Sequence, residues 1–182
     1  NGKVAEVVTV LDIGYQYAAI NGSDDFFYKP DENGQITLKN FWEFNHQQMD
    51  DFWSVTENPG HLRLHSAKLS PTLFQAYNTL TQRTVGPKCA ALRFAHMKNG
   101  DVAGISTFIG NYGFIGVKKE NDQFYLIMMR RPAKDTTVFG QFEYENPGIE
   151  YQRVPISDTS VCLRAEADFT DKKDLASFFY KN

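Results

Sequence analysis

The chain has 182 residues, enough for one sizeable core and no more than one ordinary domain. It is 42% hydrophobic and 23% charged, too apolar for a disordered chain, and its net charge of −3 is spread without a basic run. That pattern excludes the electrostatic footprint of a nucleic-acid or anionic-membrane binder, and no stretch approaches the ~20 apolar residues of a membrane span.

Aromatic residues make up 14% of the chain, with fifteen Phe, nine Tyr and two Trp. Flat, bulky side chains suit pleated sheet surfaces. Taken in chain order, short apolar or alternating runs predict strands near Val4 to Leu11, Gln35 to Lys39, Trp53 to Thr56, His61 to His65 and Leu73 to Arg83. Further strands are predicted near Cys89 to His96, Val102 to Ile109, Tyr112 to Lys118 and Gln123 to Arg130. The last fall near Val138 to Glu143, Ile149 to Val154, Val161 to Asp168 and Ser177 to Tyr180.

The separators have turn chemistry: Asp31-Glu32-Asn33-Gly34, Asn58-Pro59-Gly60, Lys98-Asn99-Gly100-Asp101, Glu120-Asn121-Asp122 and Asn146-Pro147-Gly148. Many short strands at regular spacing imply an all-β sandwich or barrel. Helical spacing is confined to Thr170 to Tyr180, where the β-rich end favours a loop followed by a strand. Residues 1–23 read as an N-terminal arm or entry strand, and 24–182 as the sandwich. Cys89 and Cys162 form no metal-spaced pair and read as two buried free thiols, with a single disulfide as the alternative.

Four blocks in order carry a resemblance: FWEFNH with FWSVTENPGHLRLHS (41–46 and 52–66), NTLTQRTVGP (78–87), MKNGDVAGISTFIGNYGFIGVK (97–118) and VCLRAEADF (161–169). Together they resemble the C-terminal concanavalin A-like module that follows the catalytic propeller of family 43 glycoside hydrolases such as β-xylosidases. The resemblance implies a jelly-roll type antiparallel β-sandwich. In that family the module continues past the FFY strand, so a sandwich lacking its last strands is expected. The family's hydrolytic carboxylates sit in the propeller. A propeller blade needs about four strands, so the five blades of that propeller cannot fit into the residues upstream of Asn40.

The resemblance therefore implies an accessory carbohydrate-binding module, with xylan-type or arabinoxylan-type polysaccharide and a catalytic propeller as partners. It also implies an extracellular or periplasmic setting. Two alternatives stand beside it. One is a structural module that packs on the propeller and binds no sugar. The other is a glycosidase in its own right, since such sandwiches also host enzymes.

Candidate sugar-binding residues are Trp42, Asn45, His46 and Trp53, the densest aromatic and polar cluster; a ring stacks on a pyranose face while amide and imidazole bond its hydroxyls. Arg63 and Arg83 offer planar donor forks to vicinal hydroxyls, or else pair with acids such as Glu57 or Asp101. Tyr112, between two glycines, is a candidate platform, or an ordinary hairpin tyrosine. Asp24 and Asp25 are candidate oxygen ligands of a structural Ca²⁺; no cofactor is required. The remaining carboxylates read as solvated acids, because a glycosidase needs two of them facing each other about 5 to 9.5 Å apart.

Overall fold

The computed structural model describes residues 17–66, 68–77, 79–85, 88–94, 96–108, 111–131 and 147–181, with residues 88–92 as backbone only. The expected strands at Val4 to Leu11 and Val138 to Glu143 lie outside them. The described strands are β1 (Glu43–Phe44), β2 (Trp53–Ser54), β3 (Arg63–Leu64), β4 (Leu80–Thr81), β5 (Lys88–Arg93) and β6 (Val102–Phe108). They continue with β7 (Tyr112–Glu120), β8 (Gln123–Arg131), β9 (Ile149–Ile156), β10 (Ser160–Asp168) and β11 (Leu175–Lys181). Every pairing is antiparallel, and the only helical pieces among the described residues are three short 3-10 turns.

A four-stranded sheet in the order β6-β7-β8-β9 faces a three-stranded sheet in the order β11-β10-β5. The β7–β8 hairpin closes on a two-residue loop, Asn121 and Asp122, both at positive φ (50° and 62°), as a right-twisted hairpin requires. Asn and Asp tolerate that region, and Asn99 ties the loop down by bonding the backbone and side chain of Asp122. In β10 the alternation is strict: Val161, Leu163 and Ala165 are buried while Ser160, Cys162 and Arg164 are exposed. Cys162 is therefore a free thiol on the outer face, not the buried one the sequence suggested.

Between the sheets, Ile115 and Val117 of β7, Leu126 of β8 and Ile156 of β9 pack with Val161 and Leu163 of β10, and with Phe94. Each such side chain contributes about 1.5–3 kcal/mol when fully buried. A second cluster covers the other face of the large sheet, where Tyr112, Phe114 and Ile127 meet Leu73 and Phe74. Buried on both faces, β7 reads as an apolar run rather than an alternation.

Gly113 of β7 makes room for β11: a Cβ there would stand 2.6 Å from Cε2 of Phe178. Gly113→Val is expected to displace Phe178 and destabilise the domain by about 1–3 kcal/mol. Hydrogen exchange should show β11 amides losing protection before those of β8.

Two short ribbons, β1–β4 and β2–β3, complete the described strands. Here the expectations need correction. The predicted strand at Gln35 to Lys39 joins no sheet; the Asp31 carboxylate accepts the amides of Asn33 and Gln35, and a turn sets its course instead. The long strand expected at Leu73 to Arg83 divides into a 3-10 turn, Leu73–Gln75, and the two-residue β4. Ser70 donates to the Gln75 carbonyl and Thr79 to that of Ala76, so side-chain hydroxyls take acceptors that a continuous ladder would have used. At the end of the chain the turn Thr170–Lys172, whose first residue donates its amide and hydroxyl to Asp168, leads into β11, which is the loop-then-strand order expected.

Candidate functional site

The segment before β1 is organised around Asp24, whose side chain is only 1% exposed. Its Oδ2 accepts the Trp42 indole N–H at 2.8 Å and the Tyr28 hydroxyl. Its Oδ1 accepts the Phe26 amide at 3.0 Å and lies 3.0 Å from the Lys39 ammonium. Burial pushes this carboxyl up, but the hydrogen bonds from Tyr28, Trp42, the Phe26 amide and Lys39 outweigh it and hold Asp24 below its ordinary value. The same pair, through burial first and the Asp24 contact second, pushes the Tyr28 phenol up to about 12. Phe26 sits at φ = 54°, a conformation costly for a side chain with a Cβ, and its ring stacks on Trp42 at 5.7 Å between centroids and 26° between planes. Trp42 is thus clamped at its nitrogen and along one face.

Beside it opens a groove of about 260 Å³, lined by Ile36, Thr37, Leu38, Trp42, Phe44, Gln48 and Trp53. The segment that failed to become a strand forms one wall. Trp42 and Phe44 reach the groove because residues two apart in extended chain share a face. Trp53, from β2, packs against Phe44 at 5.6 Å and 54°. Asp50 stands behind this wall: its Oδ1 accepts Gln48 Nε2 at 2.7 Å and, more weakly, Trp53 Nε1 at 3.4 Å.

The chemistry available is recognition. Two indoles and a phenyl supply flat apolar surface, and Gln48 and Thr37 supply hydrogen-bonding groups. No lining side chain titrates near neutral pH, so the groove holds no group for acid–base work.

The structure brings together two of the sequence candidates, Trp42 and Trp53, and sends the others elsewhere. His46 Nε2 bonds the Phe74 carbonyl and its ring lies against Tyr77, so it braces the 3-10 turn rather than the groove. Asn45 bonds the Thr79 carbonyl through its backbone amide, beside the β1–β4 ribbon. Arg63 pairs with Glu57 at 3.3 Å, where His65 also bonds, and Arg83 lies 3.8 Å from Glu43; neither lines the groove. Tyr112 is no exposed platform: it is 7% exposed and donates to the Pro147 carbonyl at 2.5 Å, and burial raises its pKa. Asp24 is filled with donors, and Asp25 accepts the Phe27 amide at 3.5 Å. No group of three His, Cys, Asp or Glu among the described residues is arranged to hold a metal ion.

Phe44, Gln48 and the wall at Ile36 to Leu38 were missed. Phe44 was legible from its spacing to Trp42 within FWEF. Gln48 was not, because its place depends on Asp50.

Comparison with known proteins bears on this arrangement. The family described as the beta xylosidase C-terminal concanavalin A-like domain matches residues 31–182. A beta-xylosidase of Formosa agariphila is 28% identical over 149 residues, covering 69% of this chain and 24% of that protein. A bifunctional GH43-CE protein of Bacteroides eggerthii superposes with a TM-score of 0.72 at 31% identity, covering 87% of this chain and 19% of that one. The chain thus spans about a quarter or less of the length of these relatives.

Proposed function

Starting from the finding that the chain belongs to the family of C-terminal concanavalin A-like domains of beta-xylosidases, we propose that it serves a polysaccharide-degrading enzyme as an accessory module that holds a saccharide in the Trp42–Trp53 groove. The observation that carries this reading is the convergence of two tryptophans from separate parts of the chain on one groove that contains no charged side chain. At about 260 Å³ the groove lies just below the usual range of ligand pockets, which begins near 300 Å³, and suits a single sugar ring with its neighbours projecting into solvent. A xylan-type glycan is part of the same proposal, supported by the name of the Formosa relative, a beta-xylosidase; an extracellular or periplasmic setting is proposed with it.

Affinity electrophoresis in xylan, arabinan and cellulose gels tests it. Retention is expected in xylan, and Trp53→Ala should weaken it about tenfold to a hundredfold, the equivalent of about 1.5–3 kcal/mol of lost apolar contact. Trp42→Ala should do the same, with thermal melting confirming that each variant folds. Retention in none of the gels would leave the second reading, a module that packs on a catalytic domain and binds no sugar. That reading draws on β11, the outermost described strand of its sheet, where Leu175, Phe179 and Tyr180 are exposed.

A further inference from the structure

Each lining tryptophan has its indole N–H turned onto a carboxylate, Trp42 onto Asp24 and Trp53 onto Asp50. The Trp42 nitrogen is committed at 2.8 Å, and the Trp53 nitrogen is turned toward Asp50 more weakly, at 3.4 Å. The two acids differ in their surroundings. Asp24 is shielded from solvent and compensated by Lys39 at 3.0 Å, whereas Asp50 is exposed and has no cationic partner among the described residues. Asp50 also takes one Gln48 amide N–H at 2.7 Å, which fixes the orientation of that amide and leaves its carbonyl oxygen and second N–H for a ligand. The groove therefore offers a few hydrogen-bonding groups and flat apolar faces beside an uncompensated negative charge.

We infer that Asp50 is a positioning and charge-selecting residue for this groove: it fixes Gln48 and Trp53, and it sets a preference for uncharged sugars over acidic ones. The inference rests on the proposed sugar-binding role and deepens it. A hydroxyl-bearing ring can donate to Gln48 while stacking on the tryptophans. A uronate carboxylate entering the same groove meets a like charge within a few side-chain lengths, and Coulomb repulsion at a solvent-exposed site of this kind amounts to about three- to tenfold in affinity. Exposed charges are screened by salt, so the discrimination shrinks as ionic strength rises.

The test is calorimetric titration of the full chain at low ionic strength with two probes, xylotriose and trigalacturonate. Xylotriose is expected to bind more tightly. Asp50→Asn keeps an amide oxygen for Gln48 and Trp53 but removes the charge, so xylotriose affinity should hold while trigalacturonate gains about three- to tenfold. Asp50→Ala removes the acceptor as well, and should weaken xylotriose and shift tryptophan emission, with thermal melting showing that the fold persists. A merely structural Asp50 would move both probes together, so unchanged trigalacturonate affinity in Asp50→Asn overturns the inference. Equal binding of both probes by the unsubstituted chain overturns this inference alone. Binding of neither overturns it together with the sugar-binding proposal.

Discussion

Gly116→Val is expected to cost the domain about 3–5 kcal/mol, a large part of the 5–15 kcal/mol that a folded domain commands. Gly116 in β7 pairs with Gly104 in β6. A Cβ at Gly116 would lie 2.3 Å from the Ala103 carbonyl oxygen, 2.5 Å from Cζ of Phe114 and 2.8 Å from the Gly104 Cα. Two of these neighbours are backbone inside a paired ladder, so they cannot step aside without breaking the register. The third is a ring spread over the glycine pair: the gap in side chains lets Phe114 lie down across the sheet and become 92% buried, at 8% exposure. Valine would evict the ring and push β6 from β7 at once. Urea denaturation should show the midpoint falling sharply. Gly100→Ala is the control, since nothing stands within 4 Å of its Cβ and only the strain of φ = 95° is added. Its cost should stay near 1–2 kcal/mol. A Gly116→Val protein melting with the unsubstituted one would refute the packing described for β6 and β7.

Asp24→Ala is the second large effect. It strips the acceptor from the Trp42 indole, the Tyr28 hydroxyl and the Phe26 amide together, and leaves Phe26 in its unfavourable conformation without a tether. Each partly buried donor left unpaired costs about 1–3 kcal/mol, so a total near 2–4 kcal/mol is expected once water reaches some of them. The groove should open with it, because Trp42 loses its clamp. The pH dependence follows from the two shifted groups. Asp24 has a folded pKa below its ordinary 3.8, so its stabilisation is complete above that value and is lost as pH falls through the lowered one. Tyr28 is raised from 10 to about 12, so its contribution is complete below pH 10 and is lost as pH rises through about 12. Melting temperature against pH should therefore lose its acid shoulder in Asp24→Asn and its alkaline shoulder in Tyr28→Phe. Unaltered profiles in both variants would show that this cluster does not hold the segment in place.

Surface ion pairs should matter much less. Glu120, held down to about 2 by Lys118 and Arg153, belongs to an exposed network that salt will screen.

The large-sheet strands and β10 were legible to within two residues at their ends, because each local pattern agrees with the burial it serves. The turn at Asn121 and Asp122 was legible for the same reason, since few residues tolerate two successive positive φ values. The early part of the chain was harder. Gln35 to Lys39 has the composition of a strand, yet it pairs with no strand among the described residues, and composition carries no information about available partners. Leu73 to Arg83 has strand-like residues throughout, but hydroxyls at Ser70 and Thr79 compete locally for its carbonyls.

At the site the division is sharper. Aromatic content and the density of aromatic and polar residues put Trp42 and Trp53 among the candidates, with Asn45 and His46 beside them. Residue type could not separate them from His46, Arg63 or Tyr112, which look equally suited to a sugar and which the fold spends on a carbonyl, a glutamate and a buried contact. Chain pattern alone thus settles which segments extend and which faces are apolar, since these depend on neighbours one to four residues away. Which polar groups remain for a ligand was decided only by tertiary structure, because a hydrogen bond such as that from Trp42 to Asp24 joins residues that only the folded chain brings within 3 Å.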